Sequence, residues 1–215
     1  MSNNIRRIMV ADNHELIRLG IRSWLEVRPN QLVVAEASDG RMALAEALAT
    51  KPNIAIISDT LSELNCVDLT YALKRELPDV EVLIFATHDR DDVAADALRA
   101  GAKGYVRKSD RHQEFLEAID ALSSHRPYYS GGMGEEALER LRDGTAVDGS
   151  ALTRREREIV QLIGEGHINK QIAYVLAISI KTVETHRATV MQKLKVGNTA
   201  QLVRYALRNH IVQAQ

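Results

Sequence analysis

Apolar positions in the first half of the chain follow two alternating periods. Short β-branched runs at residues 5–11, 32–37, 54–57, 82–85 and 104–106 are separated by stretches whose apolar residues recur every three or four positions, at 15–27, 41–49, 67–76, 93–100 and 113–122. Consecutive apolar residues mark strands buried on both faces, and helices between them mark parallel crossovers. The pattern predicts an α/β unit over residues 1–123, a five-stranded doubly wound parallel sheet of flavodoxin-like type. Reactive groups in such folds gather beyond the carboxyl ends of the strands. Between 124 and 149, the segments SSHRPYYSGGMG and DGTAVDGS flank one short helical pattern at 135–142, which predicts a linker. Residues 150–215 carry no strand signal, only four short helical patterns, and predict a separate all-α unit.

The helical unit reads in more detail. Thr153-Arg-Arg-Glu156 fits a capping box, in which the hydroxyl and the carboxylate each satisfy an amide at a helix start. The helix behind it is expected to bury Ile159, Leu162 and Ile163 and to stop at Gly164 and Gly166. Asn169 is expected to cap a short helix through Ile172, Ala173 and Leu176. After a tight connection at Ala177 and Ile178, Ser179 is expected to cap a longer helix over 180–194. Two helices so closely joined have helix-turn-helix spacing.

At about 100° per residue, Ile180, Val183, Val190, Met191 and Leu194 share one sector, which is expected to pack inward. Lys181, Thr182, Thr185, Ala188, Thr189 and Gln192 face the other way, with Glu184 and Lys193 on the flanks. Such a face fits a major groove: Lys reaches guanine acceptors, Thr and Ala touch thymine methyls, and Glu accepts from cytosine. Taken alone, the helix favours an ordinary solvated face over a groove-binding one. Arg187 falls in the apolar sector, so a pairing with Glu156 or Glu158 is expected rather than a base contact. His186 borders the same sector and is expected to pack rather than to ligate a metal.

The string LTRREREIVQLIGEGHINKQIAYVLAISIKTVETHRATVMQKLKV resembles the LuxR-type helix-turn-helix family over essentially the whole module and without a gap. The resemblance implies base contacts from Glu184, Thr185 and Ala188, the last offering only an apolar contact. It implies phosphate contacts near Asn169, Lys170, Lys181, Thr182 and Lys193, which position the domain without reading sequence. In that family the last helix, here through Thr199, Leu202, Val203 and Ala206, pairs two domains. A homodimer on double-stranded DNA, with half-sites about one helical turn apart, follows from the resemblance.

The opening VADNHELIRLGIRSWLE and the later ALRAGAKGYVRKSD resemble the receiver domain of two-component response regulators, so nearly the whole chain resembles the NarL/FixJ arrangement. In active receivers, two acidic residues after the first strand and an aspartate after the third hold Mg²⁺, and that aspartate takes the phosphoryl group. A lysine balances the charge, and a Ser/Thr after the fourth strand grips the new group. Here the acidic pair is Asp12-Asn13. Counting along PNIAIIS from Pro52, and back from Leu69 and Pro78, puts Ser58 at the acceptor position. Ala86 stands at the fourth-strand position, while Lys108 and the switch aromatic Tyr105 are retained.

With two carboxylates replaced, weak or absent Mg²⁺ binding is expected, and no cofactor. A serine also cannot form an acyl phosphate. Lys108 is expected to bond Ser58 or pair with Asp12. The expected module is therefore a degenerate pseudo-receiver, used for dimerisation or set by a regulatory protein or small ligand rather than by a sensor kinase. Asp59 is adjacent, and a kinase-driven regulator phosphorylated there is the alternative. That shift would turn Asp59 to the opposite side of the strand and misplace every following apolar residue. A second alternative is a protein-interaction adaptor that does not bind DNA.

Composition narrows the classes further. Residues 150–215 hold ten Lys/Arg and four Glu, and the rest of the chain is acidic, although the net charge is only −1. A basic module on an acidic one suits a polyanionic partner for the first alone. No apolar run has the length of a membrane span, and the opening MSNNIRR leads into no signal-peptide core, so a cytoplasmic protein is expected. The single cysteine, Cys66, excludes an internal disulfide and is expected to be a packing residue. No Gly-rich phosphate loop or nucleophile–base spacing suggests an enzyme.

Overall fold

A computed structural model describes residues 5–87, 91–130, 152–208 and 211–212. The chain divides into two compact units, Met1–Ala146 and Val147–Gln215. The first contains β1 (Arg6–Ala11), α1 (Glu15–Glu26), β2 (Gln31–Ala37), α2 (Gly40–Thr50), β3 (Ile54–Ser58), α3 (Cys66–Glu76), β4 (Glu81–Ala86), α4 (Asp91–Arg99), β5 (Gly104–Arg107), α5 (His112–Leu122) and β6 (Tyr128–Tyr129). The strands form one all-parallel sheet in the order β2-β1-β3-β4-β5-β6.

The strand pleat divides the core in two. Met9, Ala11, Ala55, Ile57, Val82 and Ile84 face one layer with Leu69 and Leu73 of α3. Ile8, Val10, Ile54, Ile56, Leu83, Phe85 and Val106 face the other, with Ile21 and Leu25 of α1 and Phe115 and Ile119 of α5. Local signals set the helix starts: Asp39 accepts from the Met42 amide ahead of α2, and Asn65 from the Asp68 amide ahead of α3. Gly40 is dictated by space, because a Cβ there would lie 1.9 Å from the Leu64 carbonyl oxygen. Cys66 is buried at the start of α3 within the first layer.

The expectation of five strands is corrected to six. Tyr128–Tyr129 pairs in parallel with β5, inside the stretch read as linker. Pro and Ser in that stretch masked a two-residue strand held by tertiary bonds. The Ser130 amide donates to the Tyr105 carbonyl at 3.0 Å, and the Ser130 hydroxyl donates to Asp110. Asp110 also accepts from the amide and Nε of Arg107, each at 2.9 Å. Burial raises the Asp110 pKa, but these bonds outweigh it and hold the carboxyl below its usual range. The short helical pattern expected at 135–142 lies outside the described residues.

The second unit contains α6 (Arg154–Gly164), α7 (Asn169–Val175), α8 (Ile180–Lys193) and α9 (Thr199–Arg208). Thr153 and Glu156 make the capping box of α6, with the Glu156 carboxylate 2.7 Å from the Thr153 amide and the Thr153 hydroxyl 3.3 Å from the Glu156 amide. Behind α6 the chain turns at Gly166, whose φ of 90° is left-handed. Ile159, Leu162, Ile172, Val183, Val190, Leu202 and Ala206 form the core. Among the described residues no helix is long and apolar enough to cross a membrane.

Candidate functional site

Parallel strands deliver their carboxyl ends to one edge of the sheet, and three side chains meet there. Asp12, Ser58 and Lys108 each stand two residues beyond Val10, Ile56 and Val106, which share a face, so the pleat aims all three the same way. Asp12 and Ser58 are each 1% exposed. Lys108 Nζ donates to Asp12 Oδ2 at 2.5 Å and to Ser58 Oγ at 2.9 Å. Both partners expected for Lys108 are therefore engaged at once. The same ammonium lies 5.8 Å from the centre of the Phe85 ring.

The network extends to residues that sequence reasoning passed over. Ser58 Oγ is 3.0 Å from Thr60 Oγ1, and the Thr60 hydroxyl donates to Asn13 Oδ1 at 3.3 Å. Since the Thr60 hydroxyl gives its proton to Asn13, Ser58 donates to Thr60 while accepting from Lys108 and from the Thr60 amide, giving one donor chain Lys108–Ser58–Thr60–Asn13. Asp12 Oδ1 accepts from the His14 amide at 2.8 Å and lies 3.2 Å from His14 Nδ1. The Arg18 guanidinium donates to the Asp12 carbonyl at 2.7 Å. The i to i+2 spacing of Asp12–His14 and Ser58–Thr60, typical of Asx and hydroxyl turns, was the available signal. Asp59, on the opposite pleat from Ser58, accepts from the Thr87 amide at 2.8 Å. Ala86 and Tyr105 are buried in the other core layer, and the Ala86 carbonyl accepts from the Lys108 amide at 2.7 Å.

In the second unit, Lys181, Thr182, Glu184, Thr185, Ala188 and Gln192 are exposed along α8, while Val183 and Val190 are buried. Ser179 caps the helix by accepting from the Thr182 amide at 3.0 Å. The Thr185 hydroxyl donates back to the Lys181 carbonyl at 3.0 Å. Lys170 is exposed on α7 and Asn169 is half-buried at its start. Three expectations need correction. Asn169 does not cap α7: it is the first helical residue, and the Gln171 side chain accepts from the Ile168 amide at 2.9 Å instead. Ile180 is not packed inward but 45% exposed, on the wall of an open depression that it shares with Ile163 and Val203. Arg187 bonds Asn169 and Thr199, not Glu156 or Glu158.

Lys193, expected on the flank near a phosphate, is exposed there and also meets an acidic partner. Its ammonium is 2.7 Å from Glu156 Oε2, while Arg155 pairs with Glu158 at 2.7 Å. Burial raises the Glu156 pKa, yet the hydrogen bonds from Lys193 and Thr153 outweigh it and hold the carboxyl below its usual range. The wheel placed Lys193 on a flank but could not show a carboxylate brought up by α6.

Residues 8–120 match the response regulator receiver domain, and residues 150–206 match the bacterial regulatory proteins of the luxR family. Over 208 residues the chain is 34% identical to the transcriptional regulatory protein LiaR of Bacillus subtilis (strain 168), covering 96% of this chain and 99% of that protein. It is 30% identical over 207 residues to the response regulator protein VraR of Staphylococcus aureus (strain NCTC 8325 / PS 47), with 96% and 99% covered. Among solved structures, a LuxR-family two-component response regulator from Aurantimonas sp. SI85-9A1 is 34% identical with a TM-score of 0.59, over 63% of this chain and 97% of that one. RcsB from Salmonella enterica serovar Typhimurium, solved bound to promoter rprA, shares the fold at 24% identity and a TM-score of 0.66, over 94% of this chain and 98% of that one.

Proposed function

The chain belongs to the response regulators that join a receiver domain to a LuxR-family DNA-binding domain, which are DNA-binding transcription regulators, and we propose that it acts as a homodimer on duplex DNA without aspartyl phosphorylation. The observation that carries this reading is the state of Lys108. Its ammonium is committed to a buried carboxylate and to a buried serine hydroxyl at the acceptor position. A pocket filled in this way by its own side chains, with a hydroxyl at the acceptor position, supports a receiver that works without an acyl phosphate.

The donor set does not fit Mg²⁺. The ion favours carboxylates and open oxygen ligands, whereas Asp12 is ion-paired at 2.5 Å, Asn13 is a neutral amide held by Thr60, and Ser58 is a hydroxyl. Asp59 follows the register of Ile57, not that of Ile56 and Ser58, and its carboxylate is held by the Thr87 amide. That placement favours a role for Asp59 in joining the ends of β3 and β4 over a role as phosphoacceptor. Control then falls to a regulatory protein or small ligand that binds one conformation of the receiver better than another.

On DNA, the exposed face of α8 supplies the contacts. Glu184, Thr185 and Ala188 meet base edges in the major groove, and Asn169, Lys170, Lys181 and Thr182 meet phosphates. Lys193 contributes to that potential only as far as its pairing with Glu156 allows.

Selection of genomic fragments by the purified, untreated protein tests the output and its independence together. Specific, roughly palindromic sites are expected without a phosphodonor, and acetyl phosphate with Mg²⁺ is expected to add no phosphoryl mass. Sites that appear only after phosphodonor treatment, or a phosphoryl group on Asp59, would overturn the reading.

A further inference from the structure

One cation of α8 turns away from the exposed face. Arg187 is half-buried. Its Nη1 donates to Asn169 Oδ1, at the first residue of α7, and its Nη2 donates at 2.8 Å to Thr199 Oγ1, at the first residue of α9. A single guanidinium thus ties the middle of α8 to the starts of the two helices beside it. A planar fork can hold two acceptors in fixed directions, which a lysine ammonium on a flexible stem cannot.

Apolar packing leaves the rim of this corner open. Ile163, Ile168, Ile180 and Val203 line a depression of about 700 Å³ there, with Arg187 and Thr199 among its walls. Ile168 is 62% and Ile180 45% exposed. Beneath this rim Ile172, Val183, Val190 and Leu202 pack the helices together, and at the open rim directional bonds add the fine adjustment.

We infer that Arg187 is a positioning residue for DNA binding. It sets α8 against α7 and α9, so that Asn169 and Lys170 reach the backbone in register with Lys181, Glu184 and Thr185. This inference rests on the DNA-binding reading above. Recognition needs such groups held to a fraction of an ångström, so loss of the clamp weakens binding without removing a phosphate contact.

The test uses the full-length protein and a duplex that the wild type itself selects, with affinity measured across a salt series for wild type, Arg187→Ala, Arg187→Lys and Thr199→Val. Each phosphate contact contributes about 0.9 to the slope of log affinity against log salt. Arg187→Ala and Arg187→Lys are expected to weaken binding roughly tenfold or more, the scale of a lost charge-assisted bond pair, with the slope unchanged. Thr199→Val should weaken it less, and adding it to Arg187→Ala should change little, since both break one interaction.

If circular dichroism shows that Arg187→Ala does not fold, the single-bond change Thr199→Val and the charge-keeping Arg187→Lys carry the same test. Near-wild-type binding by Arg187→Lys, with Arg187→Ala losing about one unit of slope, would make Arg187 a direct phosphate contact and overturn the inference. Wild-type binding matched by every variant would overturn it alone. Absence of salt-dependent binding by the wild type would overturn the DNA reading and this inference with it.

Discussion

The Lys108 ammonium lies 2.5 Å from Asp12 Oδ2, although Asp12 is only 1% exposed. A buried carboxylate is tolerated because that ion pair and the His14 amide satisfy it. Removing one partner of such a pair strands the other. Lys108→Ala is expected to destabilise the first unit by about 3 kcal/mol, with a smaller loss when Asp12→Asn is added. Urea unfolding of the single and double variants measures the difference, and equal losses in both would show that the pair does not hold the pocket.

Gly40 tests how tightly the loop after β3 is seated. A Cβ at this position would stand 1.9 Å from the Leu64 carbonyl oxygen and 2.8 Å from Leu64 Cβ, so backbone, not a flexible side-chain tip, would have to move. The Gly40 amide also donates to the Ser62 carbonyl at 3.0 Å. Gly40→Ala is expected to cost about 2–3 kcal/mol, the upper part of the range for overpacking. Faster hydrogen exchange should appear between Thr60 and Leu64 before it reaches α5. A variant as stable as wild type would mean that the loop yields freely.

The pH dependence of the second unit follows from Glu156. Burial pushes its pKa up, but bonds from Lys193 and Thr153 prevail and leave it below the ordinary 4.5. A carboxyl whose folded pKa is depressed stabilises the fold above its unfolded value, and that contribution is lost as pH falls through the folded value. Exchange protection of the α6 amides is therefore expected to be steady at neutral pH and to decline below about 4.5. Glu156→Gln should lower protection at pH 7 and flatten the acid limb. An unchanged acid limb in that variant would exclude Glu156 as its source.

Most of the sheet was legible because each strand has its own apolar run. The placement of Asp12, Ser58 and Lys108 was legible because they continue the pleat of Val10, Ile56 and Val106. What escaped depends on contacts between distant segments. A two-residue strand at Tyr128–Tyr129 has no period to detect, and its hold on β5 comes from Asp110 and Ser130. The helical wheel gave the direction of Ile180 but not how little of it the neighbouring helices cover. It placed Arg187 inward, while its partners, at the starts of α7 and α9, are 18 and 12 residues away in sequence. The Lys193–Glu156 pair joins residues 37 apart, and no local pattern announces it.

Lys181 and Glu184 should separate affinity from specificity on α8. Both are exposed, one turn apart, Lys181 on the face opposite Val183 and Val190 and Glu184 on its flank. Under the proposed docking, Lys181 neutralises a phosphate. Lys181→Ala should then weaken binding to specific and non-specific duplexes alike and reduce the salt slope by about one. Glu184 is the acidic group of that face, and its carboxylate accepts from cytosine N4 in the groove. Near phosphates it also costs affinity, so Glu184→Ala should bind non-specific DNA slightly more tightly. At the base pair it reads, discrimination should fall by about 1–3 kcal/mol. Competition among duplexes varied at single positions measures both effects. Uniform weakening by Glu184→Ala across all four bases at every position would remove Glu184 from base readout.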